Sequence, residues 1–353
     1  MGDELEPRIL IRTATQSDTD KDVVRSTSLL FIASFFCIVP ASASEYRLLD
    51  GPLRVRNLSP VLQIYGIPRS VGARVATGYS ELTYNLEVSN NFQSDYRDGT
   101  FAFFDGETYT NSYRFRSGLR SNMEWGFEIP YVVHTNGSMD AIVDEFHELF
   151  GLPDGQRSIA PRNRLDYFIR SCGVVYADFS DSRKGLGDVR GYLGYQLFEN
   201  ENRAFALRSQ LKLPTGDASK LTGSEAYDLA VWGEFEQTLW LRKMRMSLSV
   251  AGGVSYLGEG EIVPQAQENW VGFGHFGLQI PIGDRFVFHA QLDAHSTVID
   301  TANPLLGEGG VIGTLGGRFG VTERYWVDLS LIEDLANESA SDAVFQILIG
   351  TKF

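Results

Sequence analysis

The sequence is short of cysteine, of positive charge and of long apolar runs, and each shortage excludes a class of protein. Two cysteines in 353 residues allow at most one disulfide and cannot form a cysteine-ligated metal site. With 31 basic against 45 acidic residues, the chain lacks the positive excess that nucleic-acid binding requires. No apolar run reaches the roughly 18 residues of a membrane-spanning helix. Nothing in the composition indicates a cofactor or a metal.

The first 43 residues have the organisation of an export signal. Arg25 precedes the apolar stretch Leu29 to Val39, and Ala41-Ser42-Ala43 follows it. A charged region, a short apolar region and small residues at the cleavage point define a secretory signal peptide. We therefore expect residues 1–43 to be an N-terminal extension with a cleaved signal peptide. Only Cys172 remains in the mature chain, which then has no internal disulfide.

From Ser80 onward, apolar and polar residues alternate with a period of two. In the first such segment, Leu82, Tyr84, Leu86 and Val88 alternate with polar neighbours. Twelve segments of about ten residues follow this pattern, which is the length of a tilted strand that crosses a bilayer. Residues 80–353 are therefore predicted to be an all-β protein, an antiparallel transmembrane β-barrel of about 12 strands. A soluble antiparallel barrel or sandwich shows the same period and is the alternative.

Connection lengths distinguish the two architectures. The links after strands 2, 4, 6, 8 and 10 are short, as in Arg120–Asn122 and Gly283–Arg285, and the links after the other strands are long and polar. Short turns on one side and long loops on the other are typical of outer-membrane barrels, and an even strand count places both termini at the periplasmic side. The sequence predicts an outer-membrane location in a Gram-negative bacterium.

Several short motifs carry a family resemblance. They are Phe146–Gly155, Gly185–Asp188, Leu213–Asp217, and Arg56-Asn57 with Pro60. Together they resemble an uncharacterised family of bacterial outer-membrane barrels that is similar to the barrels associated with phenol meta-pathway degradation. The resemblance implies a barrel in the outer membrane and no established substrate, and the similarity to the phenol-pathway barrels favours small hydrophobic or aromatic cargo. It implies no catalytic residues.

The last strand ends on Phe353, with Phe345, Ile347 and Ile349 on the same face. This resembles the carboxyl-terminal signal that the barrel-assembly machinery reads, and we expect that machinery to be a partner. Outer-membrane lipids are the other expected partners, and four arginines of the long third loop are expected to meet lipopolysaccharide phosphates: Arg157, Arg162, Arg164 and Arg170.

If the apolar faces meet lipid, the alternate side chains face the lumen. Counting back from the short turns places Arg114 opposite Glu128, Arg318 opposite Asp328, and His275 opposite Asp293. The full set of lumen or constriction candidates is Arg114, Arg116, Glu124, Glu128, His275, His289, Asp293, Arg318 and Asp328; His295 flanks Asp293 on the same face. These residues either fill and stiffen a narrow lumen or line a polar route through it.

Two further segments bear on access to the lumen. Apolar residues recur with helical spacing between Met139 and Phe150, so the long extracellular loop is predicted to hold one short helix, a candidate gate. Its residues of interest are Ile142, Val143, Phe146, His147 and Phe150. Residues 44–79 precede the first strand and are either a periplasmic tail or a plug that enters the lumen.

Three function classes remain open. A narrow gated channel or transporter for small molecules agrees with a lumen between those of 8-stranded and 16-stranded barrels. A non-transporting structural or surface-interaction barrel is the alternative. A lipid hydrolase requires a serine near a histidine, and neither His134 with Ser138 nor His295-Ser296 has suitable spacing on one strand face. No catalytic residue is therefore predicted.

Overall fold

The structure is a computed structural model that describes residues 51–137, 139, 163–241, 244–336 and 339–353, most of which lie in β-strands. The strands are β1 (Ser80–Arg97), β2 (Thr100–Arg120), β3 (Met123–Thr135), β4 (Asp166–Ser171), β5 (Val174–Phe179), β6 (Arg183–Leu186), β7 (Arg190–Glu199), β8 (Arg203–Lys212), β9 (Asp228–Leu241), β10 (Met244–Leu257), β11 (Trp270–Ile282), β12 (Phe286–His295), β13 (Gly310–Gly320), β14 (Tyr325–Ala336) and β15 (Ala343–Lys352).

Twelve of these strands form one closed antiparallel barrel. Strands β1, β2 and β3 pair in sequence, β3 pairs with β7, and β7 to β15 continue in chain order. The ring closes where β15 pairs with β1, from Glu81 opposite Lys352 to Asn90 opposite Ala343. Because the wall has no unpaired edge, its backbone polar groups are satisfied within the wall, as a bilayer requires. The predicted twelve-stranded, all-β barrel is confirmed.

Side chains alternate between the two faces of the wall. Along β8, Ala206, Arg208 and Gln210 are buried, whereas Leu207 and Leu211 are 48% and 45% exposed. The same alternation runs along β3, β9 and β14. Large exposed apolar side chains therefore cover the outer face, and polar side chains face the lumen. This is the arrangement of a barrel whose outer face contacts lipid.

The link between the first two strands is shorter than predicted. A two-residue turn at Asp98 and Gly99 joins β1 to β2, with φ of 46° and 79°, so the expected long polar loop is wrong. The hairpin projects beyond Asn90, the last residue of β1 that pairs with β15. Strand residues outside the bilayer need no apolar face, so the alternation fades there. The Asp-Gly dipeptide, a common type I′ turn, is the signal for this hairpin.

The long loop after β3 contains three short strands that the alternation did not predict. Strand β4 pairs with residues Thr100–Asp105 of the projecting hairpin, β5 pairs with β4, and β6 pairs with the end of β3. The predicted loop helix near 139–150 lies outside the described residues. In the described ranges the one α-helix is α1 (Pro304–Gly307), between β12 and β13, and no helix there is long and apolar enough to span a membrane.

Candidate functional site

The lumen is occupied by the chain itself. Residues 51–79, here called the N-terminal segment, are buried over most of their length and do not pair as a strand. Lumen-facing side chains accept hydrogen bonds from the backbone N–H groups of this segment: Gln291 accepts from Leu53, Asp228 from Gly66, Glu234 from Val71, Glu236 from Ala73 and Glu124 from Ala76. An extended segment without strand partners needs such acceptors, because buried N–H groups are costly to leave unpaired. The wall supplies them.

The N-terminal segment passes along the lumen to the long-loop end and back. Arg54 binds Glu81 near the short-turn end of β1, and a 3₁₀ turn at Leu62–Ile64 lies among residues of the long loops. The segment returns to the short-turn end, where the Thr77 hydroxyl donates to the Ser121 carbonyl over 3.3 Å. Contacts at both ends and between them show that this segment fills the lumen lengthwise.

Charge complementarity holds the segment to the wall. It carries four arginines and no acidic residue. Arg69 forms a two-pronged pair with Glu87, Arg54 pairs with Glu81, and Arg74 pairs with Glu199. Bidentate arginine–carboxylate pairs are among the stronger charge-assisted interactions, and they are screened little when buried. The wall is therefore electrostatically matched to a basic segment.

An apolar cluster covers the lumen at the long-loop end. Its buried members come from the N-terminal segment, from β2, β4, β5, β10 and β11, and from four long loops: Val61, Leu62, Ile64, Tyr65, Ala102, Phe104, Leu165, Tyr167, Ile169, Ala177, Phe179, Ala218, Leu221, Leu257, Ile262, Val263, Val271, Val298, Ile299, Leu305 and Leu306. Burial of this many apolar side chains stabilises the loops over the lumen. The described long-loop end is thus closed by packing and the lumen by polar contacts.

The predicted register is present at all three hairpins. Arg114 lies opposite Glu128, His275 opposite Asp293, and Arg318 opposite Asp328. Arg318 binds Asp328 through two nitrogens, with Nε–Oδ1 and Nη2–Oδ2 distances of 2.8 and 2.9 Å. Parity and turn length therefore suffice to place residues across a two-strand hairpin.

Side-chain partners differ from the register at Arg114. Glu128 lies 3.6 Å from Arg190 Nη1 and accepts a hydrogen bond from the Tyr192 hydroxyl, whereas the Arg114 guanidinium lies 4.9 Å from the centre of the Tyr192 ring. This difference arises because β7 is the other neighbour of β3, and the long side chains of Arg190 and Tyr192 on β7 extend as far as Glu128.

Arg116 and Glu124 also have partners beyond their own hairpin. Arg116 binds Glu81 on β1 at 3.0 Å, and its Nη1 lies 3.7 Å from Glu124. Glu124 pairs with Arg208 of β8 and accepts from the backbone of Ala76. The charged side chains therefore form a network around the lumen rather than isolated pairs.

The histidines occupy different settings. His275 Nδ1 lies 2.9 Å from Asp293 Oδ1, and its Nε2 lies 3.0 Å from Ser249 Oγ. His289 is fully buried, opposite Gln279 on β11. His295 contacts Asn57 of the N-terminal segment at 3.1 Å. His134 is buried between Thr108 and the Leu221 carbonyl, which gives it a packing role.

A small cavity lies between the N-terminal segment and strands β9 to β13. Its volume is about 30 Å³, room for one or two waters. Its lining combines apolar and titratable side chains: Val55, Arg56, Asn57, Ile67, Pro68, Ser70, Trp232, Ala251, Phe273, Gly274, His275, Asp293, Ala294, His295 and Ile312. In the described residues, no group of three or more histidine, cysteine or acidic side chains has a metal-binding arrangement.

Two motifs of the family resemblance meet at the long-loop end. Asp188 accepts from the backbone N–H groups of Thr215 and Gly216, at 3.1 and 2.8 Å, and from Lys212 Nζ at 2.6 Å. Lys212 is fully buried and lies 3.2 Å from Asp228, which binds Gly66 of the N-terminal segment. These motifs therefore build a buried ionic centre that joins β7, β8, β9 and the segment.

Several lumen residues were not predicted. They are Glu81, Glu87, Arg190, Arg208, Lys212, Asp228, Glu234 and Glu236, together with the arginines of the N-terminal segment. The wall residues among them occupy the polar positions of the alternating pattern, so that pattern could have predicted that they face the lumen. The loop-helix residues Ile142, Val143, Phe146, His147 and Phe150 lie outside the described residues. Phe353 is 38% exposed, and its backbone exchanges two hydrogen bonds with Ser80.

Comparison with known proteins gives a family and a fold. A family profile described as "Protein of unknown function (DUF3187)" matches residues 27–353. No functionally curated protein matches the chain.

Solved structures of several barrels superpose on this one. An outer-membrane channel from Pseudomonas putida F1 does so with a TM-score of 0.52 and 12% identity, over 80% of this chain and 97% of that one. A toluene transporter from Ralstonia pickettii gives 0.36 and 8%, over 84% and 98%. The NanC porin gives 0.41 and 8%, over 77% and 98%. At these identities the likeness shows a shared barrel fold and nothing more. Of these three structures, only the Pseudomonas putida channel superposes closely enough to support that conclusion.

Proposed function

The chain belongs to the DUF3187 family, and we propose that it is an outer-membrane channel for small molecules whose lumen opens when the N-terminal segment moves. The observation that supports this proposal is the difference between the barrel wall and the N-terminal segment inside it. The wall is closed and fully paired, whereas the N-terminal segment is held inside it by side-chain contacts and pairs with no strand. The segment can leave without breaking any strand-to-strand hydrogen bond of the barrel.

The proposed location rests on the two faces of the barrel. Its outer face is covered with exposed apolar side chains, which a bilayer would bury, and the long loops lie at one end. We assign that end to the cell exterior and the short turns to the periplasm. Outer-membrane lipids and the barrel-assembly machinery are the proposed partners. Of the two third-loop arginines that the structure describes, Arg164 already pairs with Asp105 and Asp166. Arg170 is therefore the better candidate to contact lipopolysaccharide.

The proposed cargo is a small molecule, with hydrophobic or aromatic compounds favoured by the family resemblance. The wall itself offers both chemistries, because aromatic side chains such as Trp232 and Phe273 line the cavity beside His275 and Asp293. A lumen of twelve strands is narrow, so the route suits single small molecules rather than bulk diffusion.

The test is a charge swap at the pair that joins segment and wall. Arg69→Glu places two carboxylates together in the lumen and should raise the conductance of the full chain in a planar bilayer at least several-fold over wild type. Arg69→Glu combined with Glu87→Arg restores an attractive pair and should return the low wild-type conductance. Arg97→Glu changes an exposed arginine at the tip of the β1–β2 hairpin and serves as the matched control.

A heat-dependent gel shift establishes that each variant is folded. Folded variants that all stay silent, Arg69→Glu included, would contradict the channel and favour a non-transporting barrel. Conductance that rises in Arg69→Glu and fails to fall in the double variant would contradict the role of this pair.

A further inference from the structure

Three lumen side chains form a hydrogen-bonded relay from a hydroxyl to a carboxylate. Ser249 Oγ lies 3.0 Å from His275 Nε2, and His275 Nδ1 lies 2.9 Å from Asp293 Oδ1. Since the carboxylate accepts from Nδ1, Nε2 is left to accept from the serine hydroxyl. A hydroxyl, an imidazole and an orienting carboxylate linked in this order are the arrangement that activates serine for acyl transfer.

The barrel register produces the relay across three neighbouring strands. Asp293 of β12 lies directly opposite His275 of β11, and Ser249 of β10 lies opposite Gly277, two residues further along β11. Serine and histidine are therefore diagonal neighbours on the inward face. Gly277 gives them room, because a Cβ at that position would lie 2.6 Å from Ser249 Oγ and 2.9 Å from His275 Nε2.

The surroundings supply the other parts of such a site. The Gln279 side-chain amide donates to Ser249 Oγ over 2.9 Å and stands ready to donate to an oxyanion that forms beside it. His275 and Asp293 line the cavity that also contains Arg56, Trp232 and Phe273. That cavity has room for water but not for an ester, and residues of the N-terminal segment form one side of it.

We propose that Ser249, His275 and Asp293 form a carboxylic-ester hydrolase site that small esters reach when the N-terminal segment moves out of the lumen. This proposal rests on the proposed function in one respect only, the movement of the N-terminal segment that lets the ester enter the lumen. Ser249 Oγ bonds to the ester carbonyl carbon and its proton passes to His275 Nε2. The bond from carbon to the alcohol oxygen breaks, and the alcohol leaves with that proton. Water then attacks the acyl-serine and gives its proton to Nε2, the acid departs, and the hydroxyl is restored. Asp293 is a positioning residue that fixes the imidazole.

A small alkyl fluorophosphonate tests the nucleophile directly, because it bonds to an activated serine with loss of fluoride. The full chain and its Arg69→Glu variant are incubated with the probe, and the modified residue is identified by peptide mass spectrometry. We expect Ser249 to be modified in Arg69→Glu at a rate at least tenfold above wild type. Ser249→Ala should abolish the modification. Ser247→Ala removes a buried hydroxyl on the same face of β10 and should leave it unchanged.

Further variants separate activation from mere exposure. His275→Asn should lower the modification rate about 100-fold in the Arg69→Glu background, because the base is lost. Asp293→Asn should also lower it, and Asp293→Glu, which keeps a carboxylate, should recover part of the rate. Equal rates in all of these folded variants would overturn the proposal.

Conductance of the same samples separates the two proposals. An Arg69→Glu protein that conducts but carries no modification at Ser249 overturns the hydrolase and leaves the channel standing. Modification at Ser249 without any conductance supports the hydrolase and contradicts the channel. A protein that neither conducts nor becomes modified overturns the hydrolase as proposed.

Discussion

At the residue scale, the alternation of positions along each strand predicts which side chains face the lumen. The length of each side chain then decides which of them contact one another. Counting from the turns placed Arg318 opposite Asp328, and these two do bind each other. The same count placed Arg114 opposite Glu128, where Arg190 of the next strand is the cation that contacts the carboxylate. An arginine side chain is long enough to contact either neighbouring strand, and a one-dimensional pattern has no information about the second neighbour.

Lys212 is the buried cation whose loss should cost the most. It is fully buried between Asp188 and Asp228, so Lys212→Met leaves two buried carboxylates without their cation. Removing one partner of a buried ionic centre costs about 3–5 kcal/mol. We expect a loss of that size in the free energy of unfolding, measured by urea titration of the protein folded in detergent micelles.

Lys220→Met is the matched control. Its pair with Asp217 is solvent-exposed, and such pairs contribute roughly 0–1 kcal/mol. The hydrogen bonds that Lys220 and Ser219 donate hold the pKa of Asp217 below its usual value, so the control removes a real contact. Equal losses in the two variants would mean that the buried centre does not stabilise the barrel.

At the scale of elements, the strands that cross the bilayer were predictable and those outside it were not. Lipid imposes the alternation from Leu82 to Val88. No such constraint acts on the upper β1–β2 hairpin or on β4 to β6, so their patterns are irregular. The N-terminal segment was predictable as an unpaired stretch but not as lumen filling, because its acidic partners lie on two strands far apart in the chain, Glu81 and Glu87 on β1 and Glu234 and Glu236 on β9.

The last residue gives a prediction about strand closure. Phe353 and Ser80 exchange two backbone hydrogen bonds, at 3.0 and 2.8 Å, at the seam between β15 and β1. Deleting Phe353 removes both, at about 0.5–1.5 kcal/mol each, whereas Phe353→Ala keeps them. We expect deletion to lower the refolding yield into lipid vesicles and Phe353→Ala to leave it near wild type, as measured by the heat-dependent gel shift.

Yield in cells tests the assembly signal separately. If the machinery reads the aromatic ring, Phe353→Ala should lower the amount of folded protein in the outer membrane while it refolds normally in vesicles. Normal amounts in cells would contradict a signalling role for the ring.

At the scale of the whole molecule, the charge of the lumen depends on where the N-terminal segment lies. Among the described residues, the buried, lumen-facing charges of the wall are nine acids against six bases: Glu81, Glu87, Glu124, Glu128, Asp188, Asp228, Glu234, Glu236 and Asp328, against Arg114, Arg116, Arg190, Arg208, Lys212 and Arg318. The four arginines of the segment reverse that balance. The net charge of the whole chain does not reveal this dependence, because it adds the charges of the inner and outer surfaces together.

An opened barrel should therefore prefer cations. In a planar bilayer with a potassium chloride gradient, Arg69→Glu should show a reversal potential of the sign given by potassium permeation. Glu234→Gln with Glu236→Gln in the same background should reduce that potential, because the wall loses two negative charges. A chloride preference in the opened protein would contradict this charge assignment.

The seam between β1 and β15 has a consequence for the order of assembly. The N-terminal segment is joined directly to β1, the strand that must find β15 more than 250 residues further along the chain. Such distant contacts form late, since closing a long chain loop carries an entropic cost before any pairing rewards it. We therefore expect the segment to reach the interior while the cylinder is still an open, curved sheet, so that residues synthesised before the strands become enclosed by them.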